Sequence, residues 1–232
     1  MTEEDYKNGH VILIDKPLEW TSFQVVNKVR WLIKKEFNLK KIKVGHAGTL
    51  DPLATGLLIL CTGKFTKKIE TYQAQHKEYT GVITLGATTP SYDLETEIDE
   101  TFDISAISEE KIRTATQQFV GDIQQQPPVF SALKKEGKRL YEFARAGEKV
   151  DIPTRSVHIS TFEITNIDLP NVSFRVACSK GTYIRSLAHD FGKALQNGAH
   201  LSALRRTKIG DFSVEKAFSI EEFELQFKSP TS

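Results

Sequence analysis

The stretch Val44–Lys64, VGHAGTLDPLATGLLILCTGK, decides the fold of this chain. It contains four glycines and one proline, and its only acidic residue is Asp51. Pro52 disfavours helical torsions at Asp51, and the apolar run Leu57–Cys61 predicts a buried strand. We therefore predict that Asp51 lies on a turn that enters a core strand. Because an isolated carboxylate is costly to bury, we expect this one to be held by a partner.

The residues before this stretch predict a strand followed by a helix. The segment His10–Lys16, HVILIDK, is typical of a strand that ends at Pro17. Thr21 or Ser22 can then cap a helix. Its expected buried positions follow helical spacing and are Val25, Val29, Ile33 and Phe37.

The residues after it predict further strands. Glu78–Gly86, Ser156–Ile167 and Val172–Ser179 alternate apolar and polar residues as strands do. Gln124–Pro128, QQQPP, is incompatible with a helix interior, and we expect it to be an exposed connector. Together with the predicted helices, these strands indicate an α+β fold with a mixed, mostly antiparallel sheet, flanking helices and a central cleft.

The composition is that of an ordinary globular protein. The chain has 232 residues, of which 39% are hydrophobic and 26% charged, so it can form one large domain. Cys61 and Cys178 lie far apart without metal-ligand spacing, which favours reduced cysteines in a cytoplasmic protein. The polar N-terminus does not resemble a signal peptide, and no apolar run is long enough to span a membrane. We expect no metal site and no membrane association.

The charges are segregated along the chain although the net charge is only +1. Lys28–Lys43 carries seven basic residues and one acid, and Arg175–Lys208 has the same ratio. Asp93–Glu110 carries eight acids and no base. Any single run is usually a solvated face, but two separate basic runs favour a surface that binds RNA phosphates.

Several motifs resemble those of the bacterial tRNA pseudouridine synthase B family. The longest match is GHAGTLDPLATGLL, within Val44–Lys64. The others are DKPLEWTSFQVVNKVR, KEY at the start of the predicted strand Glu78–Gly86, CSKGTYIR, and GAHLSALRRTKIGDFS. The matches extend from Asp15 to about Ser213. This resemblance implies a pseudouridine synthase fold.

The resemblance implies a catalytic group. Asp51 corresponds to the family's catalytic carboxylate, and Arg185 of the GTYIR motif to the arginine that lies against it. Tyr79 corresponds to the tyrosine that lies against the target base. Without the resemblance, Asp51 is a turn former, Arg185 a surface arginine that binds phosphate, and Tyr79 a half-buried core residue.

The resemblance also implies residues that bind the substrate. His46 matches the histidine that fills the place of the extruded base, although a lone histidine in a glycine-rich loop is usually structural. Tyr183 is expected to contact the base together with Tyr79, and Leu204 to close the apolar wall of the pocket. Aromatic faces of this kind offset the cost of unstacking a nucleotide.

Two segments depart from the family pattern. Glu19 stands where a glycine is usual, in the turn after Lys16 and Pro17. We expect Lys16 and Pro17 to support the active site. The alternative, that Lys16 is an ordinary surface lysine, agrees equally well with the sequence. The loop Thr89–Asp93 replaces the usual T-D-T-x-D pattern and keeps only its last carboxylate, so we do not assign it a catalytic role.

The resemblance implies one catalytic domain over residues 1–232. Residues 122–152 correspond to the family's insertion that clamps the RNA, and their basic and aromatic residues suit that role, as they would an amphipathic surface helix. Many members carry a small C-terminal RNA-binding domain beyond this length, and we expect it to be absent here.

The implied reaction is the isomerisation of a T-loop uridine of tRNA, at position 55, to pseudouridine. It needs no metal and no cofactor. The expected partner is the T-arm stem-loop of tRNA, bound by a monomer without a guide RNA. The alternative is a non-catalytic module that binds or folds tRNA on the same scaffold. A guide-RNA-dependent synthase subunit and a glycoside hydrolase, which needs two placed carboxylates, agree less well with the sequence.

Overall fold

A computed structural model of the chain describes residues 1–131, 133–135, 137–148 and 150–227. Its α-helices are α1 (Glu3–Asn8), α2 (Ser22–Glu36), α3 (Ile69–Ala74), α4 (Glu109–Ala115), α5 (Leu140–Arg145), α6 (Ile184–Ala194) and α7 (Ile220–Leu225). Its strands are β1 (Val11–Lys16), β2 (Val44–His46), β3 (Ala54–Thr62), β4 (Lys77–Leu85), β5 (Ala87–Thr88), β6 (Glu100–Thr101), β7 (Gly121–Gln125), β8 (Lys134–Lys135), β9 (Lys138–Arg139), β10 (Arg155–Asp168), β11 (Asn171–Cys178), β12 (Ala199–Ile209) and β13 (Phe212–Ser213). Short 3-10 helices cover Gly63–Lys68, Thr116–Phe119 and Val214–Lys216.

The chain divides into two compact units. The first unit comprises Met1–Tyr79 and the described residues from Leu204 onward, and the second comprises Thr80–Ala203. Strands β4 and β12 contribute residues to both units.

Strand β3 is the central strand of the first unit. It pairs antiparallel with β1, from Val11 opposite Cys61 to Lys16 opposite Gly56. Its first residues pair parallel with β12, and its last residues pair antiparallel with β2. The prediction of a buried strand over Leu57–Cys61 is confirmed, because these residues have no exposed surface. A strand flanked on both sides and covered on both faces is expected to be apolar throughout.

Helix α2 begins where the sequence predicts. The Thr21 hydroxyl accepts a hydrogen bond from the Gln24 amide, and the Gln24 side chain accepts one from the Thr21 amide, which makes a capping box. The apolar stripe of α2 is fully buried at Val25, Val29 and Ile33. It packs in one core cluster with residues of β1, β3 and α7, and each such side chain contributes about 1.5–3 kcal/mol.

The second unit contains the strand order β4-β11-β10-β7, in which β10 pairs antiparallel with both β11 and β7. The strands predicted at Ser156–Ile167 and Val172–Ser179 are confirmed as β10 and β11, which pair antiparallel. Phe162, Phe174 and Phe191 pack edge to face on this sheet, with ring centroids 5.5 to 6.0 Å apart.

The predicted fold class is confirmed. Strand β3 pairs antiparallel with β1 and β2 and parallel with β12, and the pairs β7–β10, β10–β11 and β12–β13 are antiparallel. Helices flank the strands, so the fold is α+β with a mixed sheet. No helix within the described ranges is both long enough and apolar enough to cross a membrane.

Candidate active site

Asp51 lies in the loop between β2 and β3 and is half-buried. Its carbonyl accepts a hydrogen bond from the Ala54 amide at 3.1 Å, which closes the turn into β3. Gly56 has a φ of +103°, and a β-carbon there would overlap the backbone of Arg206. The glycine therefore permits the close approach of β3 and β12 immediately after the aspartate.

Helix α2 and the turn before it hold the Asp51 loop. The Ser22 hydroxyl donates to the Leu50 carbonyl at 3.1 Å and accepts from the Leu50 amide at 2.9 Å. The Glu19 amide donates to the Pro52 carbonyl at 2.9 Å. Glu19 has a φ of +66°, so it adopts the left-handed conformation for which glycine is the usual residue. The turn therefore keeps a glycine-like geometry with a glutamate in it.

Lys16 is fully buried and supports the same loop. Its ammonium donates to the carbonyls of Pro17 at 2.8 Å, Trp20 at 2.5 Å and Pro52 at 3.2 Å. The structural role expected for Lys16 is therefore confirmed, and the alternative of a surface lysine is wrong. Burial lowers the pKa of Lys16 to about 8; the Asp51 carboxylate acts in the opposite direction, and Arg206 adds to the decrease.

We expect the activity and stability of the protein to depend on Lys16 above pH 8. As its ammonium loses a proton there, the loop loses a donor and a charge, so turnover falls. Its pKa is about 8 in the folded state and 10.5 in the unfolded state, so the unfolded state binds more protons between these values and the free energy of unfolding rises with pH. Single-turnover rates and urea midpoints measured across this range check both trends.

Lys16→Met is the matched variant. It removes the titrating group, so both trends should disappear, and misplacement of the loop should lower turnover by about 10- to 100-fold. If the variant keeps the wild-type pH dependence, a different group titrates.

Arg206 is a site residue that the sequence analysis missed. It is 1% exposed, and its guanidinium donates to the carbonyls of Leu57 at 2.8 Å, Gly48 at 3.2 Å and Thr49 at 3.4 Å. In the sequence, Arg206 is only one member of the basic run Arg175–Lys208. Because consecutive strand residues point to opposite faces, one of the two arginines had to face inward. The other, Arg205, pairs with Asp15 at 2.6 Å.

His46 ends β2 and is half-buried. Desolvation is the main cause that lowers its pKa, the Arg206 charge lowers it further, and the Gly48 backbone acts in the opposite direction. The imidazole is therefore neutral at pH 7. Its Nδ1 atom is buried and has no hydrogen-bond partner among the described residues. A neutral ring with an unused nitrogen is compatible with the substrate contact expected for His46.

Leu204 and Tyr79 belong to the same unit as Asp51. Leu204 of β12 lies opposite Ala54 of β3 in a parallel pair. Ala54 is three residues after Asp51 in the chain. Tyr79 is 8% exposed on β4. The adjacent Glu78 carboxylate accepts a hydrogen bond from the Thr207 hydroxyl of β12 at 2.8 Å. Leu204 therefore lies on the strand that pairs with β3 directly after the Asp51 loop, and Tyr79 lies on β4, which neighbours β12 in the strand order.

Tyr183 and Arg185 lie at the start of α6 in the second unit. The Gln125 side chain accepts from the Tyr183 amide at 2.7 Å and donates to its carbonyl at 3.0 Å. The Arg155 guanidinium lies 5.4 Å from the centroid of the Tyr183 ring. The prediction of an exposed connector at Gln124–Pro128 is wrong for Gln125 and the two prolines, which are buried, because Gln125 anchors this helix start.

Arg185 is 4% exposed and contacts the loop Thr89–Asp93. Its guanidinium donates to the carbonyls of Phe130 at 2.9 Å and Ser91 at 3.3 Å, and its Nε atom lies 3.6 Å from the Asp93 carboxylate. The Asp93 side chain is also buried. Asp93 is the carboxylate that this loop retains from the family pattern, and the sequence alone assigns it no catalytic role. The expected pairing of Arg185 with Asp51 joins residues of different units and stays a prediction.

Within the described ranges, no group of three or more histidine, cysteine or acidic residues could hold a metal ion.

Two family models match consecutive parts of the chain. Residues 34–184 match the TruB family pseudouridylate synthase N-terminal domain, and residues 185–229 match the tRNA pseudouridylate synthase B C-terminal domain. The tRNA pseudouridine synthase B of Flavobacterium johnsoniae is 62% identical over 97% of this chain and 98% of its own length. The enzyme of the same name from Phocaeicola vulgatus is 54% identical over 94% of this chain and 93% of its own length.

Solved structures show the same fold. A Cbf5–Nop10–Gar1 complex contains a chain that is 34% identical, with a TM-score of 0.70 over 95% of this chain. An archaeal box H/ACA Nop10–Cbf5 complex gives 30% identity and a TM-score of 0.69 over 97% of this chain. This chain spans 55% of the solved chain in each case. With both family models and the bacterial relatives in agreement, the chain belongs to the TruB family of pseudouridylate synthases.

Proposed function

We propose that this protein converts a uridine of tRNA to pseudouridine, at position 55 of the T-loop, with Asp51 as the essential carboxylate. The observation that carries the proposal is the Asp51 loop itself. Three buried polar side chains, those of Lys16, Ser22 and Arg206, hold the backbone of a loop that carries a half-buried carboxylate. Relatives with the name tRNA pseudouridine synthase B support tRNA as the substrate.

The reaction rearranges bonds within one nucleotide. The C1′–N1 bond of the uridine breaks and a C1′–C5 bond forms, while the C5 proton passes to solvent and N1 takes up a proton. Nothing is oxidised or reduced. The protein has to place a carboxylate beside the sugar and the base and has to retain the detached uracil. Groups fixed before the substrate arrives favour this chemistry because they need no reorganisation during the reaction.

Binding requires that the uridine leave the stack of the T-loop. Extrusion costs a few kcal/mol, and stacking on an aromatic side chain offsets about 1–3 kcal/mol per base. We assign this contact to Tyr79 and Tyr183, the apolar wall to Leu204, and the orientation of the Asp51 carboxylate to Arg185. The T-arm stem-loop supplies the recognised structure, and a monomer acts without a guide RNA. Residues 122–152 supply further RNA contacts.

His46→Ala should raise the apparent substrate KM more than it lowers the chemical rate. In this proposal the neutral imidazole fills the space that the extruded base leaves, so it contributes to binding and not to bond breaking. Steady-state and single-turnover kinetics on a tRNA transcript separate the two effects. His46→Phe, which keeps a flat ring, should recover most of the binding. A larger loss in single-turnover rate than in KM would contradict this role.

Release of tritium tests the proposed function. A tRNA transcript that contains 5-tritiated uridine is incubated with the protein, and tritium appears in water only if the C5 bond to hydrogen breaks. Release should disappear when position 55 is changed to cytidine, and an isolated T-arm stem-loop should remain a substrate. Tight binding without release would instead favour the non-catalytic tRNA-binding module.

A further inference from the structure

We propose that the first unit carries a second RNA-contact surface, which binds the phosphate backbone outside the reacting nucleotide. It consists of Trp31, Lys34 and Lys35 of α2 with Lys40 and Lys41 of the following connector, and we name it the α2 basic surface. This inference rests on the proposed function, since its occupant is the same tRNA.

The first argument is charge. Residues 28–43 contain seven basic residues and only Glu36 as an acid. Lys35, Lys40 and Lys41 are exposed and Lys34 is half-exposed. None of these four lysines forms an ion pair with any residue in the described ranges. Positive charge that the fold does not neutralise attracts a polyanion, and phosphates that replace counterions are its natural partners.

The second argument is the way the connector presents its lysines. Phe37, Leu39 and Ile42 pack against the core cluster that contains the buried stripe of α2, so the lysines between them point outward. The Leu39 amide donates to the Lys34 carbonyl at 2.9 Å, which continues the backbone order past the helix end. The positively charged groups therefore sit on an ordered backbone, and less conformational entropy is lost when a ligand binds.

The third argument is Trp31, whose exposed fraction is 50%. The ammonium groups of Lys28 and Lys35 lie 5.1 and 5.0 Å from its ring centroid. The spacing 28, 31 and 35 places the three side chains on one face of α2. An exposed indole beside a cation, here Lys35, is the combination that RNA-binding proteins use to stack a base while tracking the backbone.

The position of the surface agrees with this partner. The Arg30 guanidinium donates to the Val44 carbonyl at 2.9 Å and to the Asn27 side chain at 2.7 Å. Helix α2 is thereby fixed to β2, the strand that ends at His46. The same helix also holds the Asp51 loop through Ser22. RNA that approaches the loop therefore approaches a helix whose exposed side is basic.

Acidic residues limit the surface on one side. Helix α7 carries Glu221, Glu222 and Glu224, and the Glu224 carboxylate pairs with Lys28 at 2.8 Å. Lys28 is therefore excluded from the α2 basic surface. The glutamates repel phosphates from that side, so the RNA is confined to the end of the helix that carries Lys34 and Lys35.

The salt dependence of tRNA binding tests the proposal. The dissociation constant of a tRNA transcript is measured by filter binding over a series of KCl concentrations. The double variant Lys34→Gln with Lys35→Gln removes two phosphate contacts, so the slope of log K against log salt should fall by about 1.5. Trp31→Ala should weaken binding by about fivefold or more, and Trp31→Phe should recover most of it.

The control is the double variant Lys67→Gln with Lys216→Gln, which removes two exposed lysines of the same unit outside the surface. It should keep the wild-type slope. An unchanged slope in the Lys34 and Lys35 variant overturns the proposal. If this variant keeps the tRNA slope but loses binding to phosphatidylglycerol vesicles, the proposal is also overturned, because the surface then binds a lipid. Binding needs no turnover, so this test and the tritium-release test fail independently.

Discussion

Asp51→Asn should reduce tritium release from tRNA by at least about 10³-fold, the loss typical of removing an essential catalytic group. The amide has nearly the size of the carboxylate, and the loop is held through its backbone by Lys16, Ser22 and Arg206. The loop should therefore keep its conformation and the RNA should still bind. Single-turnover tritium release and filter binding on the same preparation measure the two quantities.

The matched control for this variant is Asp211→Asn, which changes an exposed aspartate of the same unit. It should retain the wild-type rate. If Asp51→Asn keeps a rate within tenfold of the wild type, the carboxylate is not essential and the proposed mechanism fails. If it loses RNA binding and activity together, Asp51 contributes to substrate binding and not to the chemical step.

Asp93→Asn should lower the free energy of unfolding by about 3–5 kcal/mol, the usual cost of leaving one partner of a buried ion pair alone. The side chains of Asp93 and Arg185 are 8% and 5% exposed, and Nε and Oδ2 lie 3.6 Å apart. The Asp93 carboxylate also accepts a hydrogen bond from the Glu95 amide at 3.0 Å. Loss of the carboxylate charge leaves the guanidinium in a low-dielectric environment with fewer partners. Urea unfolding curves measure the effect, and turnover should fall as Arg185 loses its orientation.

A matched pair in the same unit provides the control. Asp122 pairs with His158 at 2.8 Å, and the Asp122 side chain is 80% exposed. Asp122→Asn should therefore cost less than about 1 kcal/mol, because solvent screens an exposed pair. Equal losses in the two variants would contradict the role of Asp93. In the double variant Asp93→Asn with Arg185→Met, much of the stability should return, since no unpaired charge remains buried.

The elements that local patterns specify were predictable. The apolar run Leu57–Cys61 is a buried strand, the Thr21 side chain caps α2, and the alternating segments form β10 and β11. These features depend on residue periodicity and on hydrogen bonds between residues a few positions apart, so they are encoded in short windows. The motif matches likewise located Asp51 and Arg185, each of which is at least half-buried in the folded chain.

The network around the Asp51 loop depends on residues that are distant in the chain. A sequence pattern cannot tell whether the lysine of an HVILIDK strand or the second arginine of LRRTK points inward, because either can reach solvent by a small change in register. The backbone carbonyls that Arg206 binds lie 149 to 158 residues away, and Asp93 contacts an arginine on a different element. The amino-acid order thus specifies the strands, the helix caps and the position of the Asp51 turn before β3. Which cations become buried follows from tertiary packing, because only the packing of strands, helices and loops brings such distant groups within hydrogen-bonding distance.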